Sequence, residues 1–184
     1  HPTKKINGTI ALPGSKSESN RVLILDALSH KQSTLFNLST SEDTTLLKEA
    51  LLSKVEKINI KNTGTAMRFL TAYYTARKQN KIVSGEARML ERPIKPLVEA
   101  LIQMGANIEY LDKEGFPPIK INGSLSTLNK KEINIPAAIS SQFISAILMI
   151  APSLPEGITL KMDGKIASIP YIQMTLQIME AFGI

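Results

Sequence analysis

Two segments of this sequence carry the same helical spacing of apolar residues, and this repeat is the feature that most restricts the fold. The apolar positions are Ile94, Val98, Leu101 and Met104 in the first segment and Ile172, Leu176, Met179 and Phe182 in the second. Each set steps by four, three and three residues and ends at a glycine, Gly105 or Gly183. One buried helical stripe closed by a glycine cap has this pattern. The sequence therefore predicts a structural unit that is used more than once.

A similar helix precedes each of these two segments. Thr65-Ala-Met-Arg-Phe-Leu70 precedes the first and Ser141-Gln-Phe-Ile-Ser-Ala146 the second, and a weaker third copy begins at Ser19-Asn-Arg-Val-Leu23. The alternative is that amphipathic helices simply look alike. We expect three copies of a helix-strand-helix-strand unit and hence an α/β (α+β) fold.

Hydrophobic periodicity predicts helices and strands that alternate along the whole chain. The expected helices are 19–29, 41–53, 65–77, 94–104, 141–150 and 171–182, with His30 as a cap at the end of the first. The expected strands are 5–11, 34–38, 57–61, 81–85, 107–111, 118–122, 132–135 and 158–162.

Composition excludes several classes of site. The chain has no Cys and two His, so we expect no disulfide framework, thiolate nucleophile or Cys/His zinc cluster. No apolar run approaches the roughly 18 residues of a membrane span, so we expect a soluble, cytoplasmic protein. The net charge of +6 favours an anionic partner, which is nucleic acid, anionic lipid or a small anionic substrate.

Each of the three leading helices is preceded by small hydroxyl residues or glycine. The clusters are Gly14-Ser-Lys-Ser-Glu-Ser19, Asn62-Thr-Gly-Thr65 and Ser140-Ser-Gln142. Helix N-termini present unpaired N–H groups and a partial positive charge, so such ends suit a bound phosphate or carboxylate. The alternative is that these hydroxyls only cap their helices. If the repeats are equivalent, we expect the three ends to converge on one site.

Basic side chains lie beside these clusters, at Lys16, Arg21, Arg68 and Arg92. Arginine suits the bidentate recognition of carboxylate and phosphate. The alternative is that Arg21 or Arg68 pairs with a nearby carboxylate, such as Asp26 or Glu86. Nucleic-acid binding is disfavoured, because only four Tyr, five Phe and no Trp are available for stacking on bases.

Four motifs then follow one another along the chain, namely Leu12-Pro-Gly-Ser-Lys-Ser-Glu-Ser-Asn-Arg21, Asn62-Thr-Gly-Thr-Ala-Met-Arg68, Glu91-Arg-Pro-Ile94 and Ser140-Ser-Gln-Phe143. In this order they resemble the 5-enolpyruvylshikimate-3-phosphate synthase (3-phosphoshikimate 1-carboxyvinyltransferase) family, and the likeness extends to Ser168-Ile-Pro-Tyr171. The resemblance implies a transferase of the shikimate pathway that moves the enolpyruvyl group of phosphoenolpyruvate to the 5-hydroxyl of shikimate 3-phosphate. It implies no metal and no organic cofactor.

The same resemblance implies two groups of substrate ligands. For shikimate 3-phosphate they are Lys16, Ser17, Arg21, Ser140, Ser141, Gln142, Ser168 and Tyr171. For phosphoenolpyruvate they are Lys16, Gly64, Arg92 and Gln142. Lys16 would contribute to catalysis by position and charge, and Asn62, Thr65 and Arg68 would support the site.

The family's architecture is an inside-out α/β barrel of two lobes, each built from three repeated helix-strand units with helices inside and sheets outside. The resemblance implies that residues 1–13 form a strand that joins the other lobe and that residues 14–184 form the N-terminal substrate-binding lobe. The second lobe, with the acid/base Asp and Glu, would be a missing partner. We expect this chain to bind shikimate 3-phosphate at best and to be inactive alone, with neither nucleic acid nor a membrane as partner.

Two alternatives remain at this point. One is an enzyme like UDP-N-acetylglucosamine enolpyruvyl transferase, which typically has Lys-Asn in place of Lys16-Ser17 and often a loop Cys. The other is a non-enzymatic basic module that binds anions or nucleic acid. The chain also departs from the family pattern twice. It has room for only one short strand between Ser53 and Asn62, and Ile169 stands where relatives often have Lys.

Overall fold

The computed structural model describes residues 5, 7–29, 33–125, 132–136, 138 and 140–184. Its helices are α1 (Lys16–Leu28), α2 (Glu42–Leu52), α3 (Gly64–Ala76), α4 (Ala87–Leu90), α5 (Lys95–Gln103), α6 (Ser141–Ile150) and α7 (Ile169–Ala181). A single 3-10 turn, Ala151–Ser153, follows α6. The six predicted helices are confirmed, and α4 is a short additional turn that the periodicity does not reveal. His30, the predicted cap of α1, lies outside the described residues.

The helix ends follow from local side-chain chemistry. The hydroxyls of Ser15, Ser41 and Ser140 each accept a backbone N–H of the helix that they precede, which satisfies one of the unpaired donors at a helix start. Gly105 and Gly183, after α5 and α7, have φ angles of 91° and 80°. In this left-handed region glycine has no Cβ to clash, so both predicted caps are confirmed.

The first predicted apolar stripe is buried as expected, but the second is buried only in part. All four stripe residues of the α5 segment are buried, whereas Leu176 of α7 is 47% exposed. The buried residues of α7 are Ile172, Thr175 and Met179, because α1 and α6 pack on that face of the helix. The spacing therefore predicts the helix correctly and places its buried face slightly wrongly.

The strands form a four-stranded and a two-stranded sheet. The strands of the larger sheet are β1 (Lys57–Asn59), β2 (Lys81–Ser84), β3 (Ala106–Tyr110) and β4 (Ile119–Leu125), in the order β1-β2-β4-β3. β1 and β2 are parallel, and β4 is antiparallel to both of its neighbours. The smaller sheet pairs β5 (Glu132–Pro136) with β6 (Thr159–Asp163) in parallel. Six predicted strands are thereby confirmed.

The predicted strand 34–38 is wrong, whereas strand 5–11, which is expected to join the other lobe, stays a prediction. The described residues of both segments are in no assigned strand, and the side chains of Ile10 and Phe36 are more than three-quarters exposed. A strand exists only where its backbone pairs with a neighbour, and no described strand pairs with either segment.

The helices form the interior and the sheets lie outside them. α3 is buried along almost its whole length and packs against α1, α2, α6 and β4, while α6 packs against α3 and α7. Apolar residues of all three predicted units therefore share one core. The expected α/β fold with inner helices is confirmed. No helix among the described residues is both long and apolar enough to cross a membrane.

The connection from α2 to β1 is short and is held by a buried lysine. The Lys81 side chain on β2 is 6% exposed, and its Nζ donates to the carbonyl oxygens of Ser53, at 3.0 Å, and Val55. The same ammonium lies 5.5 Å from the Tyr74 ring centroid. These contacts satisfy carbonyls that follow the end of α2, and they fix the position of β1 beside β2.

Candidate functional site

Four helices begin at one polar cleft of about 290 Å³. The cleft is lined by Ser17 of α1, Thr65 of α3, the start of α6, the start of α7 and the side chain of Arg21. The predicted convergence of three helix starts is confirmed, and α7 adds a fourth that the cluster pattern does not predict. Helix N-termini carry a partial positive charge and free N–H groups, and no Asp or Glu is among the lining residues. The cleft therefore favours an anion.

The structure brings eight of the predicted site residues to this cleft, namely Ser17, Arg21, Thr65, Ser140, Ser141, Gln142, Ser168 and Tyr171. They come from four helices, so the sequence separation between the first and the last exceeds 150 residues. The remaining predicted residues lie at the starts of α1 and α3 and before α5, at Lys16, Asn62, Gly64, Arg68 and Arg92.

Arg21 lies in the floor of the cleft and is 2% exposed. Its Nε donates to the Thr175 Oγ1 at 2.6 Å, its Nη2 to the Ser145 Oγ at 3.1 Å, and its Nη1 to the Ser17 carbonyl oxygen at 2.8 Å. The guanidinium lies 5.4 Å from the Phe69 ring centroid. Burial lowers the pKa of Arg21 to about 10, so the side chain still carries its charge at neutral pH.

The expected alternative, an ion pair between Arg21 and Asp26, is wrong. Asp26 is five residues further along α1, which turns it about 140° around the helix axis from Arg21. Its Oδ1 instead accepts the backbone N–H of Ser33 at 3.0 Å. Among the described residues, no carboxylate lies within ion-pair distance of Arg21.

Arg68 is a second buried guanidinium, 6% exposed, in α3. Its Nη1 donates to the Gly64 carbonyl oxygen at 2.9 Å and to the Gln142 Oε1 at 3.1 Å, while its Nε is buried without a described partner. Burial, and after it the charge of Arg92, lower the pKa of Arg68 to about 10. Arg68 and Arg92 are two like charges with no described carboxylate between them. An anionic ligand beside them would compensate this charge.

The corresponding alternative for Arg68, a pairing with Glu86, is also wrong. The Glu86 Oε2 accepts the Asn62 Nδ2–H at 2.6 Å. Asn62 is thus tied to the loop before α4, outside the cleft lining.

Gly64 begins α3 directly against the guanidinium of Arg92. A Cβ built on Gly64 would lie 2.5 Å from the Arg92 Cζ and 2.6 Å from its Nη2, well inside the 3.5–4.0 Å of an ordinary contact. Arg92 itself is exposed. The absence of a side chain at Gly64 therefore lets an exposed arginine lie at the start of α3.

Gln142 lines the cleft and connects it to Arg68. Its Oε1 accepts from Arg68, and its Nε2 donates to the Thr65 Oγ1 at 3.1 Å. Gln142 therefore joins the cleft lining to two side chains of α3, Thr65 and Arg68. The sequence motif places Gln142 at the start of α6, but its bonds to α3 appear only in the fold.

Lys16 is half exposed at the first position of α1 and is not among the cleft-lining residues. Its Nζ lies 3.3 Å from the Asp43 Oδ1 in the first turn of α2. Asp43 is a neighbour that the sequence analysis did not identify. An ion pair this exposed is weak, so Lys16 can turn towards a stronger anion.

Ser168, the residue before α7, has φ 55° and ψ 47°. A left-handed conformation costs a residue with a Cβ roughly 1–2 kcal/mol, and such strain is often concentrated at binding sites. Here it holds the Ser168 residue at the cleft, next to the exposed Tyr171 ring, which lies 5.8 Å from the Arg21 guanidinium.

Comparison with known proteins identifies the family. The family model described as EPSP synthase (3-phosphoshikimate 1-carboxyvinyltransferase) matches residues 1–53 and 51–184. The chain belongs to this family. The alternative of an enzyme like UDP-N-acetylglucosamine enolpyruvyl transferase is therefore not favoured.

Similar proteins carry the same description. A 3-phosphoshikimate 1-carboxyvinyltransferase from Bacteroides fragilis (strain YCH46) is 49% identical over 179 residues, which are 97% of this chain and 43% of the relative. One from Colwellia psychrerythraea is 41% identical over all of this chain and 49% of the relative. The solved EPSP synthase of Acinetobacter baumannii aligns with a TM-score of 0.81 over 96% of this chain and 44% of that chain, at 22% identity, which shows the fold. The chain spans less than half the length of the curated relatives it matches.

The comparisons also bear on the shortened first unit. The alignment with the Colwellia relative runs over 210 positions, against 184 residues in this chain. The two stretches of the family model meet at residues 51–53, where α2 ends and the connection held by Lys81 begins. An abbreviated first unit, or residues absent between Ser53 and Asn62, would give both observations.

Proposed function

We propose that this chain is the N-terminal lobe, residues 14–184, of a 3-phosphoshikimate 1-carboxyvinyltransferase, and that its cleft binds shikimate 3-phosphate. The observation that carries the proposal is a pair of buried arginines, Arg21 and Arg68, with no described carboxylate partner beside an acid-free cleft. A buried charge that lacks a partner is costly. Shikimate 3-phosphate, which carries a doubly charged phosphate group and a carboxylate, would supply the missing negative charge.

The two substrates are assigned to two neighbouring places. Ser17, Ser140, Ser141 and Ser168 offer hydroxyls and helix-end N–H groups for shikimate 3-phosphate, and Arg21 offers a charged donor. Arg92, over Gly64, is the binding group for phosphoenolpyruvate, and Gln142 lies between the two places. This arrangement holds two polyanions side by side.

In the proposed reaction the 5-hydroxyl oxygen of shikimate 3-phosphate forms a bond to C2 of phosphoenolpyruvate and gives up its proton to a base of the other lobe, while the C2=C3 π bond breaks and C3 takes up a proton. In the tetrahedral product the bond from C2 to the phosphate oxygen then breaks and C3 returns a proton to a base, so that inorganic phosphate leaves and the C2=C3 double bond of the enol ether forms. Lys16, Arg92 and Gln142 act here by position and charge. The acid/base carboxylates belong to the missing lobe, so this chain alone binds substrate with negligible turnover.

A calorimetric titration of this chain with shikimate 3-phosphate tests the proposal. Shikimate, which lacks the phosphate, is the ligand control, and Arg21→Ala is the protein control. We expect binding that requires the phosphate and is lost in the variant. Equal binding of shikimate, or tighter binding of an oligonucleotide with a steep salt dependence, would contradict the proposal and favour the non-enzymatic alternative. The cytoplasmic location expected from the sequence stays a prediction.

A further inference from the structure

The Arg21 guanidinium is held by uncharged oxygens from three helices. Its described acceptors are the Thr175 Oγ1, the Ser145 Oγ and the carbonyl oxygens of Ser17 and Tyr171. They belong to α1, α6 and α7. A guanidinium carries five N–H bonds, and these four acceptors leave one of them for a ligand in the cleft that Arg21 lines.

Thr175 and Ser145 are unusual among these acceptors because both are fully buried side-chain hydroxyls. The Thr175 Oγ1 lies 2.6 Å from the Arg21 Nε and 2.8 Å from the Ser145 Oγ. Ser145 in turn lies 3.1 Å from the Arg21 Nη2. The two hydroxyls therefore meet the same edge of the guanidinium and fix the plane of the group.

The choice of hydroxyl rather than carboxylate has an electrostatic consequence. A carboxylate at position 175 would hold the guanidinium equally well, but it would also neutralise its charge. A hydroxyl accepts the hydrogen bond and leaves the positive charge available to an anion in the cleft. Valine at this position would fill the same space, but it has no hydroxyl to accept the Arg21 Nε–H and so would not orient the guanidinium.

We propose that Thr175, together with Ser145, is a positioning residue that orients Arg21 towards the anionic substrate. The proposal rests on the proposed function, because it names what holds one of the substrate's binding groups. Neither hydroxyl lines the cleft, so both act through Arg21. A residue that only packs the helices together would instead affect stability and leave affinity unchanged.

The test compares Thr175→Val, which removes the hydroxyl at constant volume, with Thr175→Ser, which keeps it. Thr71→Val is the matched control, since Thr71 is also fully buried and its hydroxyl has one described partner, the Met67 carbonyl oxygen of its own helix, at 2.7 Å. The measurements are the Kd of each chain for shikimate 3-phosphate by calorimetry and the Tm. A hydrogen bond to a charged group contributes enough free energy to change the Kd by about tenfold or more.

We expect Thr175→Val to raise the Kd at least tenfold and Thr175→Ser to keep it within threefold. Thr71→Val should lower the Tm comparably without changing the Kd. In an Arg21→Lys chain, whose ammonium does not present the planar fork, the further effect of Thr175→Val should fall below twofold.

The opposite results separate this inference from the function beneath it. If the unsubstituted chain binds and Thr175→Val binds within threefold of it, the positioning role is wrong and the proposed function stands. If Thr175→Val weakens binding as much in the Arg21→Lys chain, Thr175 does not act through Arg21. If the unsubstituted chain does not bind shikimate 3-phosphate, the proposed function fails for this chain and the inference fails with it.

Discussion

Gly64→Ala should weaken phosphoenolpyruvate binding by displacing Arg92, without harming the fold. The new Cβ would lie 2.5 Å from the Arg92 Cζ, about 1 Å or more inside an ordinary contact. Arg92 is exposed and has no described carboxylate partner, so its side chain can swing into solvent at little cost. The guanidinium then leaves the place assigned to phosphoenolpyruvate.

The size of the effect follows from the bond that is lost. A hydrogen bond to a charged group contributes about 1.5–3 kcal/mol, and every 1.4 kcal/mol is a factor of about ten. We therefore expect the KM for phosphoenolpyruvate to rise about ten- to hundredfold, while the KM for shikimate 3-phosphate stays nearly constant. Alanine is also the better helix former, so the free energy of unfolding should fall by no more than about 0.5 kcal/mol and can rise by about 1 kcal/mol.

The assay is phosphate release by a complete enzyme that contains this chain, with each substrate varied in turn. Arg92→Ala supplies the control background, in which Gly64→Ala should have no further effect on the KM. An unchanged KM in the single variant would refute the placement of the substrate beside Gly64. A full additional loss in the Arg92→Ala background would show that the methyl group acts directly on the ligand.

Predictions for three further residues, Ser168, Asp43 and Lys81, follow from the site and its surroundings. Ser168→Gly and Ser168→Ala should both weaken shikimate 3-phosphate binding. The glycine variant should be about 1 kcal/mol more stable than the alanine variant, because residue 168 has a φ of 55°. Equal stability of the two variants in chemical denaturation would contradict the strain. Asp43→Asn releases Lys16 from an ion pair of 3.3 Å and should tighten phosphoenolpyruvate binding by up to about fivefold, with under about 1 kcal/mol of stability change. Glu42→Gln is its matched control and should leave that affinity unchanged. Lys81→Met should lower the free energy of unfolding by about 2 kcal/mol, since two carbonyls after α2 lose a charged donor; a change under about 0.5 kcal/mol in urea denaturation would mean that the connection holds without it.

The sequence predicts the elements whose signals are local. The stripe that ends at Gly105 and the serine that caps α6 both lie within the helix they define or directly beside its ends. The hydroxyl clusters likewise predict the convergence of α1, α3 and α6, because equivalent repeats bring equivalent ends together. These signals require no knowledge of what the helices pack against.

The errors occur where the outcome depends on distant residues. Segment 34–38 reads as a strand, but no described strand pairs with it. Leu176 has the right spacing for a buried residue, yet α1 and α6 cover the face of α7 that carries Thr175. The sequence carried one signal of these buried polar contacts. A small polar residue in an otherwise apolar helix, such as Ser145 in α6, indicates a buried hydrogen-bond partner.

The partners of Arg21 show why the site is harder to predict than the fold. Asp26 is near in sequence but points elsewhere on α1, whereas Thr175 is 154 residues away and in contact. Only the packing of three helices brings these groups together. The family resemblance names the arginine, and the structure shows what holds it.

The central claim is that an anion completes the charge of the cleft that Arg21 lines. A crystal structure of this chain soaked with shikimate 3-phosphate tests it most directly. We predict ligand density between the starts of α1, α6 and α7, with an anionic oxygen within hydrogen-bond distance of the Arg21 guanidinium and the Thr175 contact retained. Ligand density elsewhere on the surface, with this cleft filled by water alone, would contradict the claim.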